Sequence, residues 1–192
     1  MDILFLSISM GAGHLKASEA LNEYVIKRYP HSRTLIVDTF KYISPAAHKV
    51  FVDGYLKIIR HRPGIYGLLY KMSELSNNIS ILSKLVSRLL SFKIEKLIEE
   101  FHPSLIVCTH PFPLQMVSCL KADNKINMPL VAVFTDYVSH PFWLQDNVEA
   151  YIVGHEKIKK DMIAKGVPPD KVFSCGIPVS PGFLKTNAKK IV

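Results

Sequence analysis

The chain has 192 residues and a net charge of +8, with 48% hydrophobic against 21% charged residues, a composition too apolar for intrinsic disorder. At ~100 to 200 residues per domain, this length holds one sizeable α/β unit with its own core, not two full nucleotide-binding domains. The longest strongly apolar stretch, 79–92, is broken by Lys84 and Arg88 and falls short of the ~18 uninterrupted apolar residues of a spanning helix.

The first run, 2–9, is apolar and closes in a glycine turn, without the basic region and small-residue cleavage site of a signal peptide. Residues 15–29 follow with Ala17, Ala20, Leu21 and Tyr24 at helical spacing, so strand, turn and helix are expected in that order. A second run, 34–37, ends in Asp38, and the gap between the two runs fits a parallel crossover through a helix. Residues 41–100 then read as a helical insertion, broken at Pro63-Gly64 and Asn77-Asn78. The insertion carries ten Lys/Arg against five acids, most of the net positive charge. Such an excess fits nucleic acid, an anionic membrane surface or a solvated helix face. Within 79–92 the polar residues Ser80, Ser83, Lys84, Ser87, Arg88 and Ser91 form one narrow stripe, and the rest is Ile, Leu, Val or Phe. So wide an apolar face predicts either a helix buried on several sides or one lying on a membrane surface.

Further strands are expected at 105–109, 130–134, 151–153 and 172–175. Helices are expected at 113–122 and 156–165, the latter stopped by Gly166, Pro168 and Pro169. Buried strands alternating with helices predict an α/β fold with a doubly wound parallel sheet, whose sites gather where strands end and helices begin. Residues 180–192 read as a frayed terminus or the start of a linker. The odd set Cys108, Cys119 and Cys175 holds no CxxC pair, which predicts buried inert thiols and a reducing cytoplasm.

The residues able to do chemistry fall at those strand ends. The loop Gly11, Ala12, Gly13, His14 sits between first strand and first helix, where glycines admit a ligand and the helix N-terminus offers free N–H groups. No Gly-Lys-Ser/Thr follows, which argues against a P-loop. Lys16 stands where a dinucleotide fingerprint has its third glycine, although Asp38 suits that reading. Taken alone the loop fits a plain glycine turn equally well. His14 favours function, because a histidine over the sheet edge is placed to act as a general base near neutral pH. Two rigid turns, Thr109-His110-Pro111-Phe112 and Ser139-His140-Pro141-Phe142, leave later strands, and Asp136 lies between them. His110, Asp136, His140 and His155 lack metal-ligand spacing, and loop histidines commonly just hydrogen-bond. No Gly-x-Ser-x-Gly elbow supports a hydrolase. Trp143, the single tryptophan, reads as an aromatic lip with Phe142 or as a core anchor.

The ordered set Gly11-Ala-Gly-His14 with Ala17 and Ala20-Leu21, 103–107, Thr109-His-Pro-Phe112, Thr135-Asp136, His140-Pro-Phe-Trp143, 151–153, Gly166-Val-Pro168 and Gly176-Ile-Pro178 resembles the N-terminal half of the monogalactosyldiacylglycerol synthase and processive diacylglycerol glucosyltransferase family. Each piece is weak, and the series in this order is specific. The resemblance implies a glycosyltransferase of GT-B architecture, with this chain as a Rossmann-like acceptor domain over 1–179 and a second domain binding the UDP-sugar. It implies a single inverting displacement onto diacylglycerol without a catalytic metal or cofactor, His14 being the base. Gly11, Ala12, Gly13, His110, Pro111, Phe112, Asp136, His140 and Trp143 would line the acceptor side. Arg60, Arg62, Lys84 and Arg88 would meet anionic lipid on the inner face of the cell membrane, at ~1 kcal/mol for each cation. The chain stops where the family's linker would begin, so these residues alone are expected to turn over little UDP-glucose or UDP-galactose. Competing readings are a non-catalytic membrane-surface module, the acceptor half of a transferase for another lipid-linked acceptor, and a nucleotide-dependent oxidoreductase. Nucleic acid binding is disfavoured, since the cations sit among aliphatic residues rather than stacking aromatics.

Overall fold

The computed structural model describes residues 1–9, 13–45 and 77–186, with side chains described outside 77–84 and 184–186. Six strands form one all-parallel sheet: β1 (Asp2–Ser7), β2 (Arg33–Asp38), β3 (Leu105–Cys108), β4 (Leu130–Val133), β5 (Ala150–Val153) and β6 (Val172–Ser174), in the order β2-β1-β3-β4-β5-β6. All six expected strands are present, with ends shifted by one or two residues. Their apolar runs are nearly continuous because helices cover both faces. In β1, Leu4 and Leu6 enter the larger core cluster while Ile3 and Phe5 enter the smaller one on the opposite face. Register places Leu4 between Leu35 of β2 and Ile106 of β3.

Helix α1 (Gly13–Arg28) buries Ala17 and Ala20, and its Leu21 and Val25 pack on the smaller cluster. Small residues there let the helix sit close to the sheet. The larger cluster is closed by α2 (Thr39–Ile43), α3 (Asn77–Phe101), α4 (Pro111–Ala122) and α5 (Glu156–Ala164), through Ile43, Ile94, Ile98, Leu114, Val117, Ile158 and Met162. After α5 the chain reverses through Gly166 at φ +96°, with Val167 N–H donating to the Met162 carbonyl, a left-handed cap that favours glycine. A last short helix, α6 (Pro181–Thr186), occupies part of the tail read as frayed or linker, and Ser180 Oγ donates to Glu23 Oε2 of α1 at 2.6 Å.

Helix α3 turns part of its polar stripe inward. It runs unbroken from Asn77 to Phe101, so the stretch 79–92 is the first part of the β2-to-β3 crossover helix. Ser87 and Ser91, members of the polar stripe, are buried, whereas Leu85, Val86, Leu89 and Phe92 are 55%, 40%, 66% and 57% exposed. The serines are small enough for α3 to pack tightly on α4, and their hydroxyls are satisfied there. Ser87 Oγ donates to Gln115 Oε1 at 2.7 Å, and Ser91 Oγ donates to the Arg88 carbonyl at 2.8 Å. Arg88 crosses to α4 and pairs with Asp123, Nε to Oδ2 at 2.8 Å.

From β1 the sheet grows one way through β2 and the other way through β3 to β6. The switch point lies outside the C-terminal ends of β1 and β3, where an open α/β sheet leaves a crevice for ligands. The first glycine turn and the Thr109-His110 turn both leave the sheet at that point.

Candidate functional site

His14 stands in the first turn of α1 over this crevice, partly exposed. Its Nδ1 lies 2.8 Å from the Thr109 carbonyl oxygen and 2.5 Å from the Thr135 hydroxyl. Residues just beyond β3 and β4 thus converge on one ring nitrogen of a residue just beyond β1. Beneath it runs a buried hydroxyl chain, with Ser18 Oγ and Ser7 Oγ each 2.9 Å from Thr109 Oγ1. The Thr109 N–H donates to the Leu6 carbonyl. Thr109 is therefore held by α1 and β1 together, and a fully partnered buried network of this kind is rigid. The network fixes the carbonyl that faces His14.

His110 meets His14 edge-on, with ring centroids 4.6 Å apart. Its Nδ1 accepts the Phe112 N–H at 3.1 Å, capping α4, and Pro111 occupies the first turn, where a missing N–H costs nothing. Burial, and secondarily the neighbouring His14, hold the His110 pKa well below the ordinary 6.5. A proton taken up at His14 therefore meets a neutral neighbour. Phe112 packs against Phe40 of α2, centroids 4.6 Å apart.

The other sequence candidates hold local roles of their own. His140 caps the 3-10 turn Pro141–Trp143 and accepts the Phe142 N–H at 3.2 Å. His155 caps α5 and accepts the Lys157 N–H at 3.0 Å. Trp143 is fully buried and stacks on Phe134 at 4.2 Å, while its indole N–H donates to Asp136 Oδ2 at 2.7 Å. The structure places Trp143 in the core: its large ring is removed from water and its one polar atom is satisfied by Asp136. Asp38, the residue that suited a dinucleotide, accepts the Ser9 N–H and caps α2 through the Lys41 N–H. Gly13 opens α1, and a Cβ there would find no atom of the described residues within 4 Å. Gly11, Ala12, Arg60, Arg62 and the Lys84 side chain lie outside the described residues. Arg88 reaches solvent but is paired with Asp123. Among the described residues, no three His, Cys, Asp or Glu side chains are grouped to hold a metal ion.

Two residues that matter here, Thr109 and Thr135, entered the sequence reading only inside motifs. The signal that could have found them is a hydroxyl directly after a buried apolar strand, where a non-polar residue would pack as well. The chemistry available is that of one imidazole nitrogen, Nε2, opposite the anchored Nδ1, on a partly exposed ring with no described hydrogen-bond partner at that atom. It can take a proton from a hydroxyl brought into the crevice.

The profile of the Monogalactosyldiacylglycerol (MGDG) synthase family matches residues 14–179. The processive diacylglycerol beta-glucosyltransferase of Bacillus cereus (strain AH187) is 27% identical over 190 residues, covering 97% of this chain and 47% of the relative. The uncharacterized glycosyltransferase YkoN of Bacillus subtilis (strain 168) is 23% identical over 189 residues, covering 97% and 49%. The chain thus spans about half the length of the curated relatives it matches, their N-terminal half. Among solved structures, the apo lipopolysaccharide outer core galactosyltransferase WaaB superposes with TM-score 0.53 at 11% identity, covering 90% of this chain and 44% of that one. Anabaena Alr3699/HepE in complex with UDP-glucose gives 0.50 at 14%, covering 92% and 44%. The likeness is one of fold: the six-stranded parallel sheet with its flanking helices is a Rossmann-like α/β half of the GT-B kind. With its profile matched from His14 to Val179, the chain belongs to the monogalactosyldiacylglycerol synthase family.

Proposed function

We propose that this chain is the acceptor-side half of a glycosyltransferase that moves a hexose from a UDP-sugar to diacylglycerol, with His14 as general base. The observation that carries the reading is His14 anchored through Nδ1 at the sheet's switch point, with the other ring nitrogen turned to no described partner. In the step, Nε2 takes the proton of the acceptor hydroxyl while its oxygen attacks the anomeric carbon. A new C–O bond forms as the bond to the UDP phosphate breaks, the electron pair leaves with UDP, and the configuration inverts. UDP-glucose or UDP-galactose would be held mainly by a second domain, and no metal is invoked. The activity for which the Bacillus cereus relative is named supports diacylglycerol as the acceptor.

The exposed apolar row on α3 supports attachment to a membrane surface, the inner face of the cell membrane in this reading. No helix among the described residues is long and apolar enough to cross a membrane. In the enzyme that joins this half to a donor-binding half, His14→Ala should lower turnover at least ~100-fold, the usual scale for loss of a general base, and leave vesicle binding intact. Full activity would remove His14 from the mechanism. The same apolar row equally favours a second reading, a membrane-surface module without catalysis, in which no His14 variant has any effect on sugar transfer.

A further inference from the structure

We propose that Thr135 is a positioning residue: together with the Thr109 carbonyl, its hydroxyl clamps His14 in the Nδ1–H tautomer and leaves Nε2 as the proton-accepting atom. The inference rests on His14 being the base, and it assigns how the fold prepares that base.

A carbonyl oxygen has no proton to give, so the 2.8 Å contact between Nδ1 and the Thr109 carbonyl requires the proton on Nδ1. Once Nδ1 carries a proton its lone pair is gone, so the Thr135 oxygen, 2.5 Å from the same nitrogen, accepts as well. Two acceptors from two strand ends fix the ring's rotation as well as its tautomer. Free imidazole side chains in water favour the opposite tautomer, and the other described histidines near the sheet edge adopt it. Nδ1 of His110, His140 and His155 accepts a backbone N–H in each case, which places their proton on Nε2. His14 is thus set apart by its neighbours. A histidine base is commonly oriented by a carboxylate; among the described residues none hydrogen-bonds His14, and a hydroxyl and a carbonyl take that role. When Nε2 receives the acceptor's proton, the new positive charge finds two oxygens already in place.

The test has two arms. On the 15N-labelled chain at about pH 8, where histidines with ordinary pKa are neutral, long-range proton–nitrogen correlation spectra report which ring nitrogen is protonated. The expected result is a proton on Nδ1 of His14 and on Nε2 of His110, His140 and His155; a proton on Nε2 of His14 overturns the proposal. In the enzyme carrying both halves, Thr135→Val should lower kcat about 10- to 100-fold, the scale on which outer partners of a functional histidine act. KM for both substrates should stay within about twofold, and Thr135→Ser should restore most of the loss. Unchanged kcat in Thr135→Val, or failure of Thr135→Ser to rescue, overturns it. Should Thr135→Val fail to fold, the wild-type spectrum alone decides. The two readings fail separately: an Nδ1–H His14 whose replacement by Ala leaves full activity refutes the base and keeps the clamp. An inactive His14→Ala variant with an Nε2–H wild type refutes the clamp and keeps the base.

Discussion

Replacing Leu89 and Phe92 by Gln tests the inverted amphipathicity of α3 directly. Both side chains lie on its outer row, 66% and 57% exposed. Complete burial of such a side chain is worth ~1.5–3 kcal/mol, so immersing the exposed part contributes about 1–2 kcal/mol for each. Removing both should weaken partition onto vesicles by about 2–4 kcal/mol, a ~30-fold to several hundredfold loss. Flotation with vesicles of mixed neutral and anionic lipid measures the partition, and thermal melting of the same variants measures stability. Because the row is exposed and Gln is a good helix former, folding should change by no more than ~0.5 kcal/mol. The loss should persist in high salt, which screens the cations but not the apolar contact. Arg88→Gln should matter less, because that guanidinium is already paired with Asp123. Unchanged partition would refute the membrane role of the row. A large fall in melting temperature with partition intact would show instead that the row packs against another part of the protein.

His110→Asn should flatten the acid side of the stability profile. The folded protein holds the His110 pKa well below 6.5, so the unfolded chain takes up that proton first. Stability is therefore complete above about pH 6.5 and falls as pH drops below it, by at most ~1.4 kcal/mol for each pH unit. Asn keeps an N-cap acceptor for α4 and loses the titration; denaturant melts at several pH values that show an unchanged slope would count against the assignment. Thiol labelling should separate Cys108 from Cys175. Cys108 is fully buried and burial raises its thiol pKa, whereas Cys175 is exposed. Iodoacetamide at neutral pH should modify Cys175 in the folded protein and reach Cys108 only after denaturation, as mass spectrometry of the peptides would show.

The sheet was legible in the sequence because parallel strands buried on both faces are written as continuous apolar runs, and the turn signals between them are unambiguous. His14 was legible for a related reason: a histidine after the first strand's glycine turn has few places to go except over the sheet edge. The direction of α3 was not. Periodicity gives a stripe without saying which side of it meets the core. Ser87 and Ser91 can turn inward, since a serine is small and can satisfy its hydroxyl locally or across a helix pair. The histidines followed by proline also carry a local structural role. A polar residue ahead of Pro is a helix-start signal, and capping uses one nitrogen each of His140 and His110. Trp143 carried two readings, and only the packing of Phe134 against it decides for the core.

The charge of the site bears on why a threonine orients His14. The chain is +8 overall, yet the side chains in the hydrogen-bond network that holds the imidazole are the hydroxyls of Ser7, Ser18, Thr109 and Thr135, and its ring neighbour is a histidine held neutral. A carboxylate in place of Thr135 would accept from Nδ1 equally well, but it would set a negative charge beside the crevice into which, in the proposed function, the diphosphate of a nucleotide sugar would come. For a carboxylate ~10 Å from a diphosphate carrying about two negative charges, Coulomb repulsion is about 1–3 kcal/mol between the limits of water and an effective protein dielectric of ~20. Thr135→Asp should therefore raise KM for the UDP-sugar by about 5- to 100-fold, more at low salt than at high, and leave the affinity for the uncharged lipid acceptor alone. Steady-state kinetics at two ionic strengths would show it. A KM for the donor that does not move in Thr135→Asp would mean that the diphosphate lies too far from His14 for charge to explain the choice, and the hydroxyl would then be selected by size alone.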